Sequence, residues 1–261
     1  MNRLRKIALV SLALTGWPGL GASGQETKAP ETKAPPAAKA EAALPAVDQL
    51  LDKYVQALGG KAAIARITSR VTKGTFEIPD QGITGTIELY AKAPHSSASV
   101  VEIPGFGQVR QGFDGTIGWR NDPQAGYREV SGQELATVRR NAEIHQALKL
   151  RELYPKMAVK GKDKVGQRET WVLEADAGDG TLRRMYLDVE TGLLLRNDTV
   201  LDTPTGRTTV ESYFEDYRDV DGVKVPYVVR QVSPQITWVT RATEIHHNVA
   251  IDDAKFARAT Q

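Results

Sequence analysis

Val47, Leu50, Leu51, Tyr54, Val55 and Leu58 recur at i, i+3, i+4, i+7, i+8 and i+11. That spacing predicts an amphipathic helix with one apolar stripe. Gly59-Gly60 ends it, because glycine tolerates the left-handed backbone that closes helices. Lys61–Ile67 has room for a short second helix. The period then switches to two. Strands are predicted over 69–78, 85–92, 97–103, 108–113 and 117–121, with turn chemistry at Pro79-Asp80-Gln81-Gly82 and Asp114-Gly115. Five strands in about fifty residues, joined by turn-length links, mean an antiparallel meander. Ser131-Gly132-Gln133-Glu134 has the form of a capping box opening a third helix that runs to about Leu153, where Pro155 ends it. The stripe of this helix is blurred: Leu135, Val138 and Ala142 align, but Ile144 and Leu148 are rotated away. Seven more strands are predicted beyond it, over 157–165, 169–175, 182–188, 193–201, 208–218, 223–232 and 236–248.

Twelve strands with two or three helices exclude a doubly wound fold and predict a large curved antiparallel sheet, a sandwich or a barrel. In several strands one face is apolar and one wet. Ile87 and Leu89 share a face, as do Trp171 and Leu173, and Val210, Ser212 and Phe214 stand opposite Glu211, Tyr213 and Glu215. The apolar face is expected to be concave, with the 47–58 stripe covering part of it.

Upstream, Arg3, Arg5 and Lys6 precede an apolar run, Ile7–Leu14, and Ala22 and Gly24 offer small residues before Gln25. Residues 1–24 thus read as a Sec-type signal peptide, and the run is too short to span a membrane. Residues 25–46, with ETKAP repeated, read as an Ala/Pro/Lys/Glu-rich disordered linker. Residues 47–257 form one expected domain. The whole chain has 34 Lys+Arg against 32 Asp+Glu. The leader holds three of the bases and no acid, so the remainder carries 31 against 32, a net charge of −1. A near-neutral domain argues against a nucleic-acid partner. The chain has no cysteine, which excludes disulfides, thiolate metal sites and a lipidated N-terminal cysteine.

Signatures of catalytic chemistry are scarce. His95, His145, His246 and His247 form no metal-ligand spacing, and neighbours on a strand point to opposite faces. Gly105, Gly107 and Gly112 lie between strands and read as turn glycines, not a phosphate cradle. The acids Glu211, Glu215, Asp216, Asp219 and Asp221 lack the periodicity of a calcium loop. No cofactor or metal is expected, and a non-enzymatic role is favoured over an envelope hydrolase.

Three segments carry a family likeness. They are Leu58-Gly59-Gly60 with 61–67 behind it, the strand–turn–strand Leu187-Asp188-Val189-Glu190-Thr191-Gly192-Leu193-Leu194, and the run from Phe214 through Asp221-Gly222 to Pro226. In this order behind a secretion signal they resemble the LolA/LolB-like superfamily of periplasmic outer-membrane lipoprotein-sorting proteins. The resemblance implies a half-barrel of about eleven strands plugged by helices. It implies a monomeric carrier that takes lipoprotein acyl chains, or another hydrophobic ligand, into an apolar cavity and meets inner- or outer-membrane envelope proteins. The 131–153 helix is expected to be all or part of the cover. No arginine matches the family's lid tether. The expected cavity residues are Ile87, Leu89, Trp119 and Trp171, with Leu173, Met185, Leu187, Tyr227 and Trp238. The alternative is a scaffold or interaction module of an envelope complex on the same fold.

Overall fold

The computed structural model describes residues 44–203 and 206–258. The expected leader and nearly all of the expected linker lie outside them. Thirteen strands form one antiparallel sheet that does not close. The first meander holds β1 (Ser69–Ile78), β2 (Ile83–Lys92), β3 (Ser96–Ile103), β4 (Gly107–Phe113), β5 (Gly118–Asp122) and β6 (Gly126–Glu129). The second holds β7 (Lys156–Val165), β8 (Arg168–Asp176), β9 (Leu182–Asp188), β10 (Leu194–Thr203), β11 (Gly206–Val220), β12 (Val223–Val232) and β13 (Thr237–His247). All pairs are sequence neighbours except β1 with β13, which joins the meanders. The edges are therefore β6 and β7, consecutive in the chain, and the segment 130–155 bridges them.

Four helices accompany the sheet: α1 (Val47–Ala57), α2 (Lys61–Ala65), α3 (Gly132–Ala142) and α4 (Leu150–Leu153). Leu50 and Leu51 of α1 join Leu150 and Tyr154 over Leu173, Met185 and Leu187. Leu58, with Ile64 and Ile67, covers Val223, Val225 and Ile245. A third cluster, Phe76, Ile78, Ile87, Val101 and Trp238, packs strand to strand. On the other face the C-terminal segment brings Ile251 and Phe256 against Tyr90 and Ala98.

The three segments with a family likeness meet at α1. Lys224 N–H donates to the Leu58 carbonyl at 2.8 Å. Gly59 has φ +119°, and a Cβ there would stand 2.0 Å from the Gly222 carbonyl oxygen. Lys53 Nζ donates to the Val189 carbonyl at 2.6 Å. A Cβ on Gly192 would stand 2.8 Å from the Lys53 side chain. Both hairpin turns are built by acids. Asp188 Oδ1 accepts from the Thr191 N–H at 2.7 Å and the Thr191 hydroxyl at 2.9 Å, while Arg168 grips both its oxygens at 2.8 and 2.9 Å. At the other turn Asp221 and Gly222 both take positive φ, the two-residue hairpin that suits strand twist.

The structure departs from the sequence pattern in three places. The sheet has thirteen strands rather than twelve, the addition being β6. It is a four-residue edge strand, Gly126-Tyr127-Arg128-Glu129, without apolar alternation. The long third helix is broken after Ala142: Glu143 is extended (φ −67°, ψ 108°), and a 3₁₀ turn, Gln146–Leu148, separates α3 from α4. The blurred stripe is thus two stripes. Leu135 and Val138 sit against Gly118, whereas Ile144, Ala147 and Leu148 face the α1–α2 cluster. The buried Glu143 carboxylate holds the break, accepting from the His145 N–H at 3.1 Å and from Lys149 Nζ at 2.8 Å. The capping box does not form either. Ser131 makes no side-chain cap, and Glu134 turns to Arg128.

Replacing Gly59 with alanine should lower stability by about 2 kcal/mol or more, since strained φ and a backbone overlap coincide. Urea denaturation reads this, and an unchanged midpoint contradicts the seat described for α1. Asp188 makes a second prediction. Arg168 holds its carboxyl down at about 2, against the opposing effect of burial. A depressed folded pKa adds stability above the unfolded value near 4 that is lost as pH falls toward 2, on the order of 2 kcal/mol here. Asp188→Asn should therefore destabilise the protein at pH 7, and the gap to wild type should shrink below pH 4.

Candidate binding cavity

A cavity of about 390 Å³ lies between the concave face and the bridging segment. Its roof is α3 with the chain from there to the end of α4, contributing Thr137, Val138, Asn141, Gln146 and Tyr154. Strand pairing explains its walls. On one side the cross-strand row Leu89–Ser99–Gln111–Arg120 runs over β2 to β5. On the other, the row Met185–Asn197–Ser212–Gln231–Trp238 runs over β9 to β13. Its three inner members line the cavity, as do Arg183, Thr199, Val210, Phe214 and Val229.

The wall is mixed, not apolar as expected. Serine, threonine and amide side chains make a polar waist between apolar ends. Among the lining residues are two arginines and no carboxylate. Both arginines are nine-tenths buried. Burial pushes the Arg120 pKa down, and Glu134 of α3, 3.1 Å from its Nε, works against that. Arg183 Nε donates to Asn197 Oδ1, and its Nη1 donates to Gln146 Oε1 at 3.0 Å. Gln146 Nε2 in turn donates to the Arg140 carbonyl at 2.9 Å, linking the floor to the end of α3.

Ion pairs fasten α3 at both ends. Glu134 takes Arg128 through two 2.8 Å bonds beside its pair with Arg120. Arg140 donates to Asp179 Oδ2 at 2.5 Å and to Thr181 Oγ1 at 2.9 Å, in the link between β8 and β9. Burial raises the Asp179 pKa, but the Arg140 and Thr181 bonds outweigh it and the net shift is downward. The Tyr154 ring lies under two guanidinium groups, with Arg140 Cζ at 5.9 Å and Arg183 Cζ at 5.8 Å.

Of the nine anticipated residues, Leu89 and Trp119 border the cavity. Trp119 pairs with Gly112, one position out of step with the Gln111–Arg120 pair, so its indole turns to the outer face. There Nε1 donates to the Phe256 carbonyl at 2.8 Å. Ile87 and Trp238 belong to the strand-to-strand cluster. Trp171, Leu173, Met185 and Leu187 lie beneath α1 and α4, and Tyr227 lies in the α1–α2 cluster. Arg183, Asn197 and Gln231 are cavity residues that the sequence pattern did not single out. A signal for Arg183 exists: it shares strand parity with Met185 and Leu187.

The four histidines lie off the cavity wall. His145 Nε2 meets the Ile67 carbonyl at 2.8 Å, and His247 Nδ1 stands 3.3 Å from Asp221. Burial is the main reason the His247 pKa is lowered. Among the described residues no group of three or more acids and histidines could hold a metal. The acids of β11 are tied elsewhere: Glu211 to Arg196, Glu215 to Arg230, Asp216 to Arg218, and Asp219 to the Gly222 N–H.

No protein-family model matches the chain, and no curated protein matches it. Solved structures do. The fold is LolA-like. A LolA superfamily protein from Nitrosomonas europaea superposes with TM-score 0.54 at 12% identity, over 81% of this chain and 97% of the other. A DUF1329 family protein from Desulfovibrio piger gives TM-score 0.55 at 14% identity, over 81% and 97%. An outer membrane lipoprotein-sorting protein domain from Vibrio parahaemolyticus gives 0.53 at 12%, over 80% and 96%.

If ion pairs rather than an apolar stripe hold the roof, Glu134→Gln should loosen it. Amide exchange across 132–142 should speed up by roughly tenfold, since the Arg120 and Arg128 guanidinium groups lose a charged partner on α3, while β8 and β9 keep their protection. Equal exchange in both proteins contradicts this account of the roof.

Proposed function

We propose that the chain is a non-enzymatic periplasmic carrier that holds a hydrophobic or amphiphilic ligand inside the half-barrel. One observation carries the reading: a cavity of about 390 Å³ under a bridging helix, in a sheet whose apolar ends are otherwise filled. That volume is within the range of ligand sites. Transfer of each buried methylene from water is worth about 0.8 kcal/mol, so shelter of this kind suits transport across an aqueous space. The Vibrio structure is described as lipoprotein-sorting, and the leader-like residues 1–24 accord with secretion. The filled apolar clusters favour a second reading, an interaction module of an envelope complex.

Detergent-free protein from a periplasmic extract, studied by native mass spectrometry and solvent extraction, should release a bound amphiphile. Ser212→Leu, which adds bulk to the wall, should cut its occupancy several-fold, while Leu44→Ala, at an exposed site outside the sheet, should leave it unchanged. A clean apo mass with no uptake of any alkyl probe overturns the carrier reading in favour of the interaction module.

A further inference from the structure

The charge of the cavity points to the chemistry of its ligand. Arg183 lies in β9 on the concave face, is only 9% exposed, and borders the cavity. Its guanidinium donates to two neutral amides, Asn197 and Gln146. Among the described residues it has no carboxylate partner, and Nη2 donates to no protein atom. Arg183 is a lining residue of the cavity, so a ligand held there can meet its guanidinium. The neighbouring arginines differ. Arg140 has Asp179, and Arg120 has Glu134, each from outside the lining set. A guanidinium in a low-dielectric wall carries a desolvation cost that two neutral amides and the face of the Tyr154 ring offset in part, and an anion facing it offsets more. Its planar fork matches the two oxygens of a carboxylate or a phosphate.

We infer that the cavity takes an amphiphile with an anionic head, the head on Arg183 and the chain along the apolar part of the wall. This rests on the carrier reading and narrows it. Leu89, Val138, Val210, Phe214 and Val229 supply the apolar surface. Thr199 and Ser212 stand beside Asn197 in the paired strands and give the head neutral hydroxyl partners. A neutral chain of the same length would leave Arg183 without a countercharge. A small anion alone would leave the apolar wall uncovered.

Calorimetric titration below micellar concentrations decides this, with dodecanoate, dodecyl phosphate, dodecanol, acetate and inorganic phosphate as probes. The two charged alkyl probes should bind at least about tenfold more tightly than dodecanol, the size of one charge-assisted hydrogen bond. Acetate and phosphate should bind more than tenfold more weakly than their alkyl counterparts. Arg183→Gln should abolish the preference for charge while keeping dodecanol affinity, which also certifies that the variant is folded. Arg183→Lys should retain most of it. Equal affinity for dodecanoate and dodecanol, or a preference that survives Arg183→Gln, overturns the anionic head and leaves the carrier reading standing. Acetate or phosphate binding as tightly as the alkyl anions overturns the amphiphile. If Arg183→Gln does not fold, the charged-to-neutral ratio in the native protein still decides. No binding of any alkyl probe removes the carrier reading as well.

Discussion

The structure depends on a seam that stays open. A sheet whose two edge strands are consecutive in the chain forces the residues between them to cross from edge to edge. Segment 130–155 has no other route, so the concave face is roofed by topology before any side chain is considered. Side chains then decide how firmly. α1 is held by its apolar stripe and by backbone contacts to two hairpins, and it seals one end of the half-barrel. α3 has a thinner apolar face, and is held by Glu134 at one end and Arg140 at the other. Ion pairs are more easily broken by local rearrangement than a packed stripe is, since little apolar area must be exposed. The two covers therefore differ in kind: α1 completes the core, and α3 closes a compartment.

The compartment exists because the middle of the concave face is lined by small and polar side chains. Met185 and Trp238 end a row whose inner members are Asn197, Ser212 and Gln231. Large apolar residues at those three positions would fill the space and merge the clusters at either end. Interiors ordinarily pack without voids of this size. A waist of hydroxyls and amides instead leaves space that water or a ligand occupies. The polar groups need partners, and a protein that binds something there does not have to satisfy them all itself.

Much of this was legible in the sequence, for reasons that differ between elements. The α1 stripe and the glycines after it are local signals. So are the acid–glycine turns, whose geometry a few residues dictate. The thin charged edge strand β6 lacked a signal because a four-residue strand with one pairing partner has no alternation to show. The break at Glu143 was written into the phase of the stripe, Leu135 and Val138 against Ile144 and Leu148, but an extended residue inside a helical pattern is set by tertiary contacts. The concave wall was the hardest to read. Period two separates the faces of a strand, yet in β10 neither face is plainly apolar. Arg183 beside Arg184 looks like an ordinary charged pair until Met185 and Leu187 fix its parity.

The residues that mark the fold and those that mark the cavity are different sets except at Phe214, where the third fold-marking segment begins on the cavity wall. Leu58-Gly59-Gly60, the Asp188 turn and the Asp221-Gly222 turn all converge on α1, at one end of the molecule. None of them touches the cavity wall. They fix how a helix closes a curved sheet and are silent on what that sheet encloses. The chemistry of the enclosure rests on Arg183, Asn197, Ser212 and their neighbours, single residues spread over strands with no local signature. Two chains can therefore share every fold-marking segment and hold different ligands, because the constraint that shapes the half-barrel does not reach its waist.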